Sequence, residues 1–430
     1  MKNKLQRLIC AALTLTLCSC TQKTDSANPE DALFCDNIAD QVQSVEQLHV
    51  ASETTAVETN AGVHTRLNYE TVYAMWFSVM DYADTLRDKT ESEFRQMMQE
   101  RFQNAANMGI NTVYLHVRAY QDAYYDSDLF PMGTYADPDL DFDPLAIMTE
   151  EAHALELSVH AWINPLRGPG TKAMEEMADT YLLKQWYSGT DTNGTYLVQV
   201  DNNWWLNPAY SEVRAFIADG VSEIIENYDV DGIHMDDYFY PTTDASFDAA
   251  AFMESGETDL SAFRLAQTNE MVTRIYDTVK AFDENLLVSI SPQGTLQGNY
   301  NSQYADVSTW GSTAGYCDIL IPQIYYGFEN EFAPFSDMVA LWNEVVSCET
   351  VSFVVGICTY KLGCEDVWAG SGSTEWQENA DIPQRQVAFL LTLDGVDGIA
   401  VYDYDSTFCP ETAVDAMAEE VAAITKILRN

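Results

Sequence analysis

From about residue 70 onward, short apolar runs alternate with longer stretches of helical periodicity. The runs fall at 73–78, 112–117, 158–163, 232–236, 287–291, 319–325, 352–358 and 398–402. Unbroken apolar triplets such as Ile319-Leu320-Ile321 suit parallel strands covered on both faces. Between the runs, Asp143-Pro144 opens a helix over 145–155, and Asn207-Pro208 opens one over 210–228. Each pairs a side-chain cap with a proline whose missing N–H costs nothing in a first turn. Strand then helix, repeated eight times, predicts an α/β fold, the (β/α)8 TIM barrel with long βα-loop insertions. No Gly-x-Gly-x-x-Gly follows the first strand, which argues against a doubly wound dinucleotide fold. A long insertion after the third strand, 166–206, carries Trp186, Tyr187, Trp204 and Trp205. Aromatics on such a loop either line a cleft or build a satellite core.

The pattern ahead of the barrel is different. Met1-Lys-Asn-Lys-Leu-Gln-Arg7 supplies a basic start, and an apolar run follows to Leu17. That run is too short to span a bilayer and reads as a secretory signal. It ends Leu17-Cys18-Ser19-Cys20, which resembles a bacterial lipobox with Cys20 as the lipidated residue. Residues 1–20 are therefore expected to be a lipoprotein signal peptide. Residues 21–66 form a flexible acidic tether with weak helical content at 30–48, and 67–430 form the TIM-barrel catalytic domain. The expected setting is extracytoplasmic, with the membrane reached through the N-terminal lipid anchor.

Charge narrows the partners. The chain has 67 acidic and 21 basic residues, a formal net charge of −46. A surface of that sign repels phosphate backbones, so nucleic acid is not an expected partner. Nine cysteines include Cys10, Cys18 and Cys20 near the N-terminus, then Cys35, Cys317, Cys348, Cys358, Cys364 and Cys409. None form a CxxC pair. Cys358 and Cys364 are spaced so that they could pair in an oxidising compartment. Asp122, Asp126 and Asp128 follow no known metal-loop spacing, and no metal or cofactor is expected.

In a barrel of this kind, chemistry collects at the C-terminal ends of the strands. Polar residues gather there: Arg118 and Asp122 after the second strand, and His160, Trp162, Asn164 and Arg167 on and after the third. The fourth strand carries His234, Asp236, Asp237 and Tyr238, and Gln323 and Tyr325 follow the sixth. Glycoside cleavage needs two carboxyl groups flanking the scissile bond. Strand alternation turns His234 and Asp236 to one side, which makes Asp236 the best candidate for nucleophile or base. Asp237, at the strand end, is the candidate partner. Trp162 and Trp76 offer sugar-stacking faces beside Tyr325, although Trp76 also suits the barrel core. Arg118, Asp122, His160, Asn164, Arg167, His234, Tyr238 and Gln323 are candidate substrate contacts.

These stretches, taken together, resemble the glycosyl-hydrolase-like 10 family. The segments that carry the resemblance are Asp122-Ala-Tyr-Tyr-Asp-Ser127, His160-Ala-Trp-Ile-Asn-Pro-Leu-Arg167, Asp231-Gly-Ile-His-Met-Asp-Asp-Tyr-Phe-Tyr-Pro241 and Ile321-Pro-Gln-Ile-Tyr325. The resemblance spans roughly 70–405 and implies a TIM barrel, an extracytoplasmic setting and hydrolysis of glycan, plausibly peptidoglycan strands. The fourth strand also resembles the Asp-Gly-x-Asp-x-Asp-x-Glu motif of family 18 chitinases at Asp231, Gly232 and Asp236. His234 and Tyr238 occupy its middle Asp and its catalytic Glu positions. A phenol with a pKa of about 10 cannot replace that acid, so a second carboxyl must come from Asp237, Asp122 or Asp403. The expected function is a lipid-anchored glycoside hydrolase acting on extracellular or cell-envelope polysaccharide. A non-catalytic glycan-binding lipoprotein on the same scaffold is the alternative, and dietary or host glycans are the alternative substrates.

Overall fold

The structure, a computed structural model, describes residues 65–429. The signal, the lipobox at Cys20 and the helical stretch expected at 30–48 lie outside the described residues. Eight parallel strands close a barrel: β1 (Val72–Phe77), β2 (Thr112–Arg118), β3 (Ser158–Ile163), β7 (Gly232–Met235), β8 (Leu287–Ile290), β9 (Ile319–Leu320), β10 (Ser352–Cys358) and β11 (Gly398–Tyr402). All eight lie where the apolar runs place them. β9 ends early because Pro322 has no N–H for the ladder. The parallel register resumes at Gln323, which bridges Gln293 and Gly356.

Of the two expected helix starts, the one at Asp143 is capped by its side chain, but Ser211–Asn227 begins after Tyr210 with no side-chain cap, and Asn207 instead accepts from Ala209 N in the preceding turn. Thr90 and Glu93 form a reciprocal capping box for Glu91–Met108, and Asp143 accepts from Ala146 N at the start of Pro144–His153. The third connection holds a small antiparallel sheet of β4 (Arg167–Gly170), β5 (Leu197–Val200) and β6 (Asn203–Leu206), in the order β4-β6-β5. Its aromatics mostly pack into the main hydrophobic core. Trp186 packs edge-on to Phe216, and Trp204 packs edge-on to Tyr187. Trp205 alone of the four has a ring contact with a candidate site residue, Tyr238, at 6.4 Å.

One device recurs at the N-terminal face. Val230-Asp-Gly-Ile233 before β7 is repeated as Val396-Asp-Gly-Ile399 before β11. Asp231 accepts from Val159 N, and Asp397 accepts from Phe353 N. Asp318 does the same for Val288 N, and Asn111 for Tyr73 N. Each side chain satisfies a strand-start N–H that the parallel ladder would otherwise leave unpaired. Asp231, the first residue of the chitinase-like match, is therefore a brace of the barrel floor, where it also holds His153 at 2.9 Å.

Cys358 and Cys364 do not pair; both are free thiols. Cys358 is buried on β10, while Cys364 lies against Thr412 at 3.8 Å.

Candidate active site

The barrel interior is layered beneath its mouth. His160 of β3 sits low, in space left by the missing Cβ of Gly232, where a methyl group would stand 2.8 Å from its ring. Above it, Trp76 Nε1 donates to His234 Nε2 at 2.9 Å, and His234 stacks on Tyr114 with ring centroids 4.1 Å apart. An Nε2 that accepts from an indole carries no hydrogen, so in neutral His234 the proton is on Nδ1. Nδ1 then donates to Ser289 Oγ at 2.9 Å, and that hydroxyl also meets His160 Nδ1 at 3.2 Å. Burial holds His234 well below the usual imidazole range and His160 down to about 4. This is an uncharged, hydrogen-bonded floor.

Six expected substrate contacts are corrected. His160 and His234 are fully enclosed in that floor and reach no ligand at the mouth. Arg118 should share the inward face with His116 by strand alternation, but a register shift between the two turns it outward. Its guanidinium lies over Phe130, 4.7 Å from the ring centroid, and against Gly220 of the helix Ser211–Asn227. Asp122 is spent on its own loop, where Oδ1 accepts from Ala119 N and Tyr120 N. Asp403, the other carboxyl considered as a second acid, caps the next helix through Ser406 N and Oγ. Trp162 and Asn164 are buried as well. Trp162 lies flat on His116 at 3.7 Å and donates to Asn164 Oδ1 at 3.1 Å, so it offers no open stacking face.

What reaches the mouth is smaller and well defined. Past the end of β7, Asp236 and Asp237 enter opposite surroundings. Asp236 accepts from Tyr238 N at 3.2 Å and lies near Trp162 and Arg167. Arg167 is sandwiched between Tyr120 (4.4 Å) and Tyr238 (4.0 Å). Burial, and next the charge of Asp237, raise Asp236 well above the usual carboxylate range, against the opposing pull of Arg167 and the donors around it. Asp237 is less enclosed and faces glutamines. Gln323 Nε2 lies 3.4 Å from it, and the Gln293 and Gln303 amides are close enough to favour its charged form. Burial raises Asp237 too, but these three donors favour its charged form. Tyr325 and Tyr402 complete the rim, with ring centroids 5.7 Å apart. Of the sequence-expected site residues, the structure brings together Asp236, Asp237, Arg167, Tyr238, Gln323 and Tyr325.

His116, Gln293, Gln303 and Tyr402 were not among the expected substrate contacts. Gln293 had a signal: Pro292-Gln293 after β8 repeats as Pro322-Gln323 after β9. Gln303 had none, because it arrives on the short π-helical segment Asn299–Gln303. Among the described residues, no group of three or more His, Cys, Asp or Glu is placed to hold a metal ion.

The glycosyl hydrolase-like 10 family model matches residues 71–369, a stretch that contains β1 to β10 and both carboxyls. The chain belongs to the glycosyl hydrolase-like 10 family. A family relative, the Escherichia coli K12 glycosyl hydrolase DigH, is 26% identical over 347 residues, covering 74% of this chain and 77% of that protein. Bacillus subtilis glycosyl hydrolase YngK is 28% identical over 281 residues, covering 59% of this chain. The match takes in 54% of YngK, so this chain spans about half of that relative's length. Among solved structures, the catalytic domain of a Paenibacillus polymyxa β-amylase superposes with a TM-score of 0.51 at 10% identity, covering 82% of this chain and 97% of that one. That likeness concerns the barrel alone. Within the matched stretch, Asp236 and Asp237 lie just past the end of β7.

Proposed function

We propose that this protein hydrolyses O-glycosidic bonds in extracellular or cell-envelope glycan, with peptidoglycan strands as the substrate class. The observation that carries the reading is the pair of carboxyls at the mouth, held in unlike environments. A carboxyl raised first by burial and then by its neighbour's charge holds its proton more readily, and amide donors around a carboxyl favour its charged form. Asp236 is then the proton donor to the leaving oxygen, and Asp237 acts as base or nucleophile. This reverses the roles that strand position alone suggests. Arg167, stacked between two phenol rings beside Asp236, supplies the cation that steadies an anionic sugar substituent. Gln293, Gln303 and Gln323 orient Asp237. The Tyr238 hydroxyl is a substrate contact rather than an acid.

The test is release of reducing ends from peptide-free peptidoglycan strands and from a neutral N-acetylglucosamine polymer. Asp236→Asn and Asp237→Asn keep shape and remove acid–base function, so each should lower kcat by about 10²- to 10⁴-fold. Activity of either variant within tenfold of wild type removes that residue from the reaction. A wild-type protein that binds these polymers and releases nothing would instead be a non-catalytic glycan-binding protein.

A further inference from the structure

Two loops on the C-terminal face of the barrel carry large apolar side chains into solvent. The loop after β9 exposes Phe332 (73%), and the loop after β10 exposes Tyr360 (43%), Val367 (65%) and Trp368 (42%). Scattered exposed apolar residues are ordinary, but these sit on loops that are firmly tied together. Lys361 Nζ donates to Tyr325 O and to Asp366 Oδ2, both at 2.8 Å. Asp366 in turn receives Trp368 N. Glu331 N donates to Ala369 O, and Ser371 N returns to Glu331 Oε2. Glu375 accepts from Phe328 N and Glu329 N. The rings thus stand in solvent on a double loop whose backbone is hydrogen-bonded together, at the hydration cost of exposed apolar surface.

The double loop is continuous with the candidate active site. The Tyr325 ring lies 5.7 Å from Tyr402 and 6.2 Å from Tyr360, and Tyr360 lies 6.2 Å from Tyr402. Tyr325 is also within electrostatic reach of Asp237. The ring contacts run from Tyr325 and Tyr402 to the more exposed Tyr360, and the Lys361–Asp366 pair beside Tyr360 holds the backbone of Trp368.

We propose that Tyr360, Trp368 and Phe332 form a distal subsite that stacks the pyranose rings of a glycan strand running outward from the carboxyl pair. This rests on the glycan reading above and adds that the protein prefers long strands. The apolar C–H face of a β-linked sugar meets the electron-rich face of an aromatic ring, and each such contact is worth a modest amount. Because the double loop is pre-formed, little ordering cost offsets the gain.

The test uses Asp236→Asn as a non-cleaving background and measures the affinities of β-1,4-linked N-acetylglucosamine dimer and hexamer by calorimetry. Adding Trp368→Ala or Phe332→Ala should reduce the hexamer-over-dimer preference by about three- to tenfold. Trp368→Tyr, which keeps a ring, should restore most of it. The subsite is overturned if the preference is unchanged, or if dimer and hexamer lose affinity equally. It is also overturned if Trp368→Ala changes the oligomeric state by light scattering and leaves length preference alone, since the surface would then join copies of the chain. These failures leave the glycan reading standing as long as wild type cleaves glycan and Asp236→Asn does not. Failure of wild type to bind or cleave either oligomer overturns both.

Discussion

Two neighbouring aspartates show how much one residue's setting decides. Asp236 and Asp237 are alike in sequence, yet one is pressed against Trp162 and the other is met by glutamine donors. The raised pKa of Asp236 has a consequence for stability. Its folded value lies above its unfolded value of about 3.9, so its contribution is fully present below about pH 4 and is lost as pH rises through the folded value. Asp236→Asn is neutral at every pH and should lose that dependence. The variant should melt at least about 2 °C higher than wild type at pH 8, with the difference shrinking toward pH 4. Thermal melts across that range check it, and parallel curves would show that the carboxyl is not perturbed. Such a gain beside a loss of activity is the trade expected of a functional site.

At the scale of elements, the same physics operates far from the mouth. The helix Val414–Leu428 docks on Ile382–Leu390 through Glu420, whose carboxylate accepts from Gln384 N at 2.7 Å and from Gln384 Nε2 at 2.6 Å. Burial raises Glu420 to about 7. Its stabilising contribution is therefore fully present below about pH 4.3 and is lost as pH rises through about 7. Glu420→Gln keeps an acceptor for the Gln384 N–H and removes the titration. The wild type should lose stability between pH 5 and 8 by roughly 1–3 kcal/mol more than the variant does. Denaturant midpoints at the two pH values decide, and equal losses would refute the assignment. Element geometry also explains the clearest site correction. Periodicity places Arg118 on the face of His116, and a single register shift in β2 sends it under the helix Ser211–Asn227 instead.

For the whole molecule the dominant quantity is charge. A net charge of −46 opposes the approach of anionic glycan over a distance set by salt, about 30 Å at 0.01 M and about 8 Å at 0.15 M. Raising salt across that range should speed cleavage of carboxylate-bearing peptidoglycan strands and leave the neutral polymer nearly unchanged. Arg167→Lys gives up the planar fork that grips a carboxylate. It should cost the anionic substrate about tenfold more in kcat/KM than the neutral one. Equal losses on both would assign Arg167 to holding Tyr120 and Tyr238 in place. The membrane tether belongs to this scale as well. If Cys20 carries the lipid, Cys20→Ser should move the protein from the membrane fraction to the soluble one in a bacterial host, with loss of lipid label. Unchanged fractionation would end that proposal.

The sequence by itself determined the eight strands, their order and the family, because those rest on local quantities. Apolar runs, Asp-Pro caps and spaced motifs are each written within a few neighbouring residues, and all eight strands lie where the runs put them. Which way a side chain faces, and what it meets, was decided only by the tertiary structure. His234 is set by Trp76, 158 residues away, and Asp237 by Gln323, 86 residues away. Such partners meet only when the barrel closes, and burial, which sets protonation, does not exist before it does. The tertiary structure therefore left the Asp236-Asp237 pair at the mouth, moved the histidines into the floor, and brought in the glutamines that hold the second carboxylate.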